Sequence, residues 1–432
     1  MNPDLDYYQE GLILTIQRHI PPLPFGGRYL GSPRTPTVWD SRNDRLAFAL
    51  DNPPLETEPL PDPQVATLTV VKDRSLRASD GRIVAGPRLL ACFYNGDPER
   101  ECMAQIYDGV NYPLHCGYIG CDVEPREDCT ECMDCMTRAD LDYSLEAYTY
   151  FDLRNRPEFA DFLPRYYGSW TFSRPAGRPG QSRPVRMNLL GTVDGETMSN
   201  MIANSLSQRD SQRPRPLPKP YDDVEVRLSV LRQLIELDNS LWWNAETWVT
   251  DFGPRQVILC EEDDSVKLIN FTRARLYSCM RGNDHPNKYA NDDIAEPRKP
   301  ESPIEMYWPF RPSSDNFLRA DGPFRYWIPE TWIADPELAA QWLVDTFQSS
   351  SKYQAPSDFF LNLEYHKKLK EPTLDLVISL RAAQQLDIPV RGGKGERVDT
   401  SSHEKVRDAR GVYSAFLGGA EKTRRVLVPV VL

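Results

Sequence analysis

The chain has 432 residues, with 51 basic and 63 acidic side chains and a formal net charge of −12. This length allows one large two-lobed domain or two domains, with ample apolar material for a core. An acidic chain without a basic block does not favour nucleic acid or an anionic membrane as a partner. No apolar run approaches the roughly 20 residues that a membrane span needs.

The beginning of the chain and its cysteines bear on the cellular compartment. Residues 1–8 are polar and lack the basic and apolar regions of a secretory signal. We therefore expect an intracellular protein, cytoplasmic or nuclear. The nine cysteines are an odd number, which in such a compartment favours reduced thiols or a bound metal over disulfides.

The first third of the chain predicts an irregular segment followed by a sheet. Residues 1–66 are rich in proline and show little periodicity, apart from a helix predicted for Tyr7 to His19. Short apolar runs then predict closely spaced antiparallel strands. These runs cover 66–72, 81–85, 88–94 and 102–107. A helix is predicted for 139–154, where Leu141 and Leu145 recur at helical spacing.

A cysteine-rich insert lies between the last of these strands and the helix. It spans 115–135 and contains Cys116, Cys121, Cys129, Cys132 and Cys135. The last three are spaced C-x-x-C-x-x-C, and thiolates at such intervals can surround one tetrahedral zinc ion, with Cys116, Cys121 or His115 as the fourth ligand. The alternative is a variable surface insert with reduced thiols.

The second half of the chain predicts a hairpin and several helices. Helices are predicted after Asp222 or Asp223, after Asp335 and over 373–386. The apolar runs 257–259 and 266–269 flank an acidic turn, which predicts a β-hairpin. Asp251 and Gln256 precede its first strand and Asn270 follows its second. Antiparallel pairing would bring these three side chains to one end.

These blocks resemble the protein-kinase catalytic core, and their sequence motifs resemble those of the fungal protein-kinase-like family. The residues that carry the resemblance are MAQIYD at 103–108, LPRYYGSW at 163–170, DFGPRQV at 251–257 and WIPETW at 327–332. The resemblance implies an α+β, two-lobed kinase-like fold with a small antiparallel-sheet N-lobe and a mainly helical C-lobe. It also implies strands over 163–170 and 183–193. It divides the chain into an extension (1–66), an N-lobe with the insert (67–193), a C-lobe (194–350) and a C-terminal helical extension and tail (351–432).

The resemblance also assigns site residues, and several depart from the kinase pattern. Asp251 matches the catalytic-loop Asp, whereas Gln256 and Asn270 stand at the two positions that hold magnesium in kinases. Gln105 stands where the nucleotide-binding Lys belongs, and Glu146 matches the Glu that pairs with that Lys. The segment Leu190-Gly191-Thr192 matches the hinge, whose backbone normally bonds adenine.

These departures imply a pseudokinase that acts as a regulatory or binding module with little or no phosphoryl transfer. Binding of ATP would be weak or absent, because a neutral amide offers phosphate no charge. Two alternatives stay open: an atypical active kinase in which another lysine, such as Lys72, replaces the missing one, and an interaction scaffold stabilised by zinc. A protein partner is expected, and the sequence does not determine the oligomeric state.

Overall fold

The protein is described from a computed structural model, in which eleven stretches are placed. They are residues 7–26, 29–31, 45–75, 86–112, 134–176, 180–206, 217–250, 252–260, 265–281, 299–310 and 316–361. All of them belong to the first of two units, Met1–His366. The second unit, Lys367–Leu432, lies outside the described residues, as do the helix predicted for 373–386 and the strand predicted for 81–85.

Six antiparallel strands form a closed barrel in the order β1-β2-β3-β4-β6-β5. They span Ile13–Arg18 (β1), Val65–Asp73 (β2), Arg88–Tyr94 (β3), Asp97–Tyr107 (β4), Tyr166–Pro175 (β5) and Ser182–Gly191 (β6). Alternate side chains point inward and are apolar, so they fill the barrel with a hydrophobic core. The strands predicted for 66–72, 88–94, 102–107, 163–170 and 183–193 are confirmed.

The first strand, β1, lies where the sequence predicted a helix. The helix predicted for Tyr7 to His19 is wrong, because Ile13–Arg18 is a strand. It closes the barrel by pairing with β2 on one side and β5 on the other. Leu14 and Ile16 point into the core while Ile13 is exposed, which is the alternation of a strand. The proline-rich extension therefore contributes a wall of the barrel.

One long helix, α2 (Cys135–Arg154), packs on the outside of β4, β5 and β6. It confirms the helix predicted for 139–154 but begins earlier, at Cys135. Asp134 is its N-cap, and the Asp134 side chain accepts hydrogen bonds from the first-turn amides. Its other side is covered by apolar side chains from the N-terminal segment and from a later strand, so α2 is buried nearly all round. They are Phe25, Leu55 and Leu276.

Helices and short strands make up the rest of the described chain. The helices are α1 (Arg45–Asp51), α3 (Met198–Leu206), α4 (Val224–Ala245), α5 (Pro303–Met306), α6 (Glu330–Ala334), α7 (Pro336–Phe347) and α8 (Asp358–Leu361). The strands are β7 (Gly195–Thr197), β8 (Thr247–Val249), β9 (Val257–Cys260), β10 (Val266–Leu268) and β11 (Ala274–Leu276). Side chains of Asp223 and Asp335 cap α4 and α7, as predicted.

The predicted hairpin is confirmed, since β9 pairs antiparallel with β10. Strand β7 adds to its other edge. Gly195 of β7 lies so close to β9 that a Cβ would collide with the Leu259 carbonyl oxygen, and its φ of +156° also favours glycine.

The hairpin shares one hydrophobic core with α4, with Tyr150 of α2 and with Leu190 of β6. The hairpin, α2 and β6, which carry the predicted site residues, are thus packed into a single core. No helix among the described residues is long and apolar enough to cross a membrane.

Candidate functional site

The structure brings Gln105 and Glu146 together. The Gln105 Nε2 atom donates a hydrogen bond of 2.8 Å to Glu146 Oε2, and both side chains are buried. Ala104 and Ile106 fill the barrel, so alternation along β4 directs Gln105 outward to α2. The resemblance implies a glutamate without its lysine partner, and in the structure an amide takes that partner's place.

A row of buried polar side chains continues from this pair across the sheet. The Tyr107 hydroxyl donates a second hydrogen bond, of 2.7 Å, to Glu146 Oε2. Asn188 Nδ2 donates to Tyr107 Oη at 3.3 Å, and Asn188 Oδ1 accepts from Ser169 Oγ at 2.9 Å. We call these five residues, Gln105, Tyr107, Glu146, Ser169 and Asn188, the polar row.

The sheet register explains why the polar row is continuous. Gln105 lies opposite Asn188 in the β4–β6 pair, and Asn188 lies opposite Ser169 in the β5–β6 pair. Sequence reasoning missed Tyr107, Asn188 and Ser169. The spacing of Tyr107, two residues after Gln105 on one strand, was a usable signal. The other two required the pairing of strands distant in the chain.

The Glu146 carboxyl group has an unusual electrostatic environment. Complete burial raises its pKa to about 7, although hydrogen bonds from Tyr107 and Gln105 and the nearby Phe271 backbone lower it. No described lysine or arginine forms an ion pair with it. One helical turn earlier, burial raises the pKa of Asp142 to about 6 against the opposing charge of Arg138 at 2.9 Å. Both carboxyl groups thus titrate close to neutral pH.

The hairpin end carries two of the three predicted catalytic-core positions. Gln256 is buried, and its Oε1 atom accepts a hydrogen bond of 2.8 Å from the Gly253 amide. Asn270 has a left-handed φ of +63°, and its Oδ1 atom accepts from Thr272 Oγ1 at 2.7 Å. The Ile269 amide donates to the Gln256 carbonyl oxygen, so the two segments meet as predicted. Asp251 lies outside the described residues.

Phe271 joins the hairpin end to the polar row. Its backbone lies beside the Glu146 carboxyl group, and its ring makes an edge contact with Tyr150 at 5.1 Å between centroids. Tyr150 in turn stacks on Tyr166 of β5 at 5.4 Å. Strand, helix and hairpin end therefore meet at one buried site.

That site does not fit a magnesium–nucleotide complex. Magnesium prefers hard anionic oxygen ligands, whereas Gln256 and Asn270 are neutral and each amide oxygen already accepts an internal hydrogen bond. Gln105, which the resemblance places at the phosphate-binding position, is a neutral amide. Lys72, the proposed replacement, is exposed on β2, and β3 lies between β2 and β4.

The predicted hinge and cysteine residues have different surroundings. Leu190 is buried, Thr192 is exposed, and the Gly191 amide donates to the Arg165 carbonyl oxygen at 2.7 Å, so that amide is not available to a base.

Cys135 is buried at the start of α2, where burial raises its pKa to about 11. The other four cysteines of the zinc prediction, Cys116, Cys121, Cys129 and Cys132, lie outside the described residues. Within the described part of the chain, His, Cys, Asp and Glu side chains form no group able to hold a metal.

Comparison with known proteins gives structural matches alone. No family model matches the sequence, and no curated protein is similar to it. Two solved structures of the PknI kinase domain from Mycobacterium tuberculosis match 48% of this chain, at 14% and 13% identity with TM-scores of 0.28 and 0.27. The matches cover 60% and 58% of those kinase chains, less than two thirds of their length.

Proposed function

We propose that this protein is a pseudokinase: a kinase-like fold that serves as a binding or regulatory module with little or no phosphoryl transfer. The observation that carries the proposal is the buried hydrogen bond between Gln105 and Glu146. In kinases the corresponding strand and helix positions hold a lysine–glutamate ion pair, which must be in place for catalysis. Here Glu146 contacts an amide, which carries no positive charge, instead of a lysine.

The amide donor preserves the contact between α2 and the sheet while removing the positive charge of a lysine. An amide can hold α2 against the sheet by a hydrogen bond, but it cannot supply the positive charge that lysine offers to phosphates. The Glu146 carboxyl group accepts hydrogen bonds from two side chains and lies beside the Phe271 backbone. These contacts fix α2 without an ion pair. Such a helix would stay in one position whether or not a nucleotide is present.

The hairpin end supports the same proposal. Phosphoryl transfer relies on metal ions that bridge the phosphates and neutralise developing charge. Gln256 and Asn270 offer no anionic ligand, and their internal hydrogen bonds would have to break before either could reach a metal. The exposed position of Lys72 favours the binding module over an active kinase with a relocated lysine. A protein partner fits such a module better than nucleic acid or membrane, given the net charge of −12.

Nucleotide binding with and without magnesium tests this proposal. We expect ATP to raise the melting temperature of the full chain by less than 1 °C at millimolar concentration, with no further rise when magnesium is added, because a ligand that does not bind the folded state cannot stabilise it. A large magnesium-dependent rise would contradict the proposal. Transfer of labelled phosphate that disappears in an Asp251→Asn variant would also contradict it.

A further inference from the structure

A cleft of about 700 Å³ lies beside the segment that follows β6. Its walls come from the end of α2, the start of β5, the 192–194 connection and the residues on either side of the β9–β10 turn. The residues that carry the argument below are Arg154, Leu163, Arg165, Asp194 and Lys267. None of the residues of the polar row lines it, so the cleft is a separate feature of the molecule.

The cleft concentrates positive charge in an acidic protein. Arg154, Arg165 and Lys267 line it together with one carboxylate, Asp194. None of the three cations forms an ion pair with a carboxylate of the described residues: Lys267 Nζ donates to the Asp161 carbonyl oxygen at 2.7 Å, and the two guanidinium groups lie over aromatic rings. These charges remain available to a ligand.

The arginines are positioned in a way that suits an oxyanion. The Arg154 guanidinium lies 4.7 Å from the Phe151 ring centroid and 5.6 Å from that of Tyr166, and Arg165 lies 5.2 Å from that of Tyr167. Stacking restricts the side chain, so less conformational entropy is lost when it binds. A guanidinium group can then offer two parallel N–H donors to a phosphate, which is a strong charge-assisted arrangement.

The shape of the cleft indicates a ligand larger than free phosphate. Its volume falls within the range of about 300–1,000 Å³ that ligand sites show, and its lining includes buried apolar groups from Leu163 and Pro164. A bare oxyanion would leave that apolar surface uncovered. A peptide could cover it while its phosphate contacts the cations, which is a known mode of phosphopeptide recognition by basic clusters.

We propose that this cleft binds a peptide containing phosphoserine or phosphothreonine, with the phosphate held by Arg154, Arg165 and Lys267 and a basic neighbouring residue held by Asp194. The proposal does not depend on the kinase-like assignment of the polar row.

Fluorescence anisotropy with the full chain tests the proposal directly. The probe is a labelled peptide library with a fixed central phosphoserine, flanked either by arginines or by glutamates, and its unphosphorylated counterparts. We expect micromolar binding of the arginine-flanked phosphopeptides, at least 10-fold weaker binding without the phosphate, and weaker binding as salt increases. No binding by any phosphopeptide, or equal binding with and without phosphate, would overturn the proposal.

Two variants that each remove a positive charge, one selectivity variant and a control locate the binding to this cleft. Arg165→Gln and Lys267→Gln should each weaken phosphopeptide binding at least 10-fold, and Asp194→Asn should reduce the preference for flanking arginine. Arg232→Gln, which changes an exposed arginine paired with Glu236 on α4, should leave binding unchanged. Having two variants guards against one that fails to fold, which circular dichroism would reveal. Phosphopeptide binding that survives both cleft variants, or cleft-dependent binding of single-stranded RNA or anionic vesicles in place of peptide, would refute the assignment.

Discussion

Glu146 is the residue on which the candidate site depends. It connects β4 to α2 through Gln105 and Tyr107, and it lies beside the Phe271 backbone at the hairpin end. A buried carboxyl group without a cation is stable chiefly in its protonated form, because burial penalises the charge. The polar row therefore couples the packing of α2 to the protonation of one side chain.

This coupling predicts a pH-dependent stability. The pKa of Glu146 is raised in the folded state from 4.5 to about 7, so the folded chain binds more protons than the unfolded chain between these values. The free energy of unfolding should consequently be highest, for this group, below about pH 4.5. It should decrease as the pH rises through about 7, by on the order of 3 kcal/mol at most. Asp142 acts in the same direction, since its pKa is also raised.

Urea denaturation between pH 4.5 and 8 measures the effect. In a Glu146→Gln variant the titrating group is absent, so the decrease in stability across this range should become shallower. Glu330→Gln, at an exposed glutamate on α6, is the matched control and should keep the wild-type slope. A Glu146→Gln variant with the same slope as the wild type would show that this carboxyl group does not titrate near neutral pH.

At this scale the sequence predicted part of the site through resemblance. The resemblance assigns Gln105 and Glu146 to a kinase strand and helix, and in the structure the two side chains do form a contact. Ser169 and Asn188 could not be found in this way, because they become neighbours only through the pairing of β5 with β6. The periodicity of a local sequence predicts which side chains share one face of a strand. A polar row that crosses a sheet depends also on the pairing register between strands that are distant in the chain.

At the scale of elements, β1 makes the main difference between prediction and structure. It turns an open sheet into a closed barrel, and closure removes the exposed edges of β2 and β5. The residues that pair with it lie far along the chain, which is why no local pattern indicated the closure. The strand itself had a signal, since β-branched Ile13, Thr15 and Ile16 favour a strand over a helix.

Two isoleucines of β1 provide a matched test of this assignment. Ile16 is fully buried in the barrel, whereas Ile13 is 65% exposed on the opposite face. We expect Ile16→Ala to lower the free energy of unfolding by about 2–5 kcal/mol and Ile13→Ala by less than about 0.5 kcal/mol. In a helix these positions, three residues apart, would share one face and the two losses would be similar. Chemical denaturation of the two variants distinguishes strand from helix.

The start of α2 carries the zinc prediction. Cys129 and Cys132 precede the helix and Cys135 is its first residue, so a zinc ion bound there would fix the insert to α2. Elemental analysis should then find one zinc per chain, and a chelator should lower the melting temperature, because metal binding adds folding free energy. Cys132→Ser should lose the metal and Cys92→Ala, in the barrel core, should retain it. Substoichiometric zinc that is unaffected by Cys132→Ser would leave a variable surface insert.

At the scale of the whole molecule, β5 and β6 connect two features. The polar row holds α2 against the barrel by hydrogen bonds from uncharged donors, and the basic cleft lies near the chain that leaves β6. Tyr166 contacts both, since it lines the cleft and its hydroxyl bonds Ser169 at 2.7 Å. A ligand in the cleft would therefore contact Tyr166, whose hydroxyl is hydrogen-bonded to Ser169 of the polar row.

Restoring charge to the candidate site tests the kinase-like arrangement of the whole chain. The triple variant Gln105→Lys, Gln256→Asn and Asn270→Asp would place a lysine beside Glu146 and an amide and a carboxylate at the hairpin end. The lysine should lower the pKa of Glu146 and form an ion pair with it, and the carboxylate supplies the anionic oxygen that magnesium prefers. We expect magnesium-dependent nucleotide binding, seen as a melting temperature that increases with ATP only when magnesium is present. Gln105→Lys alone is the control, and it should bind nucleotide without the magnesium dependence. If the triple variant folds, as judged by circular dichroism, and gains no nucleotide binding, these three positions do not form one kinase-like site.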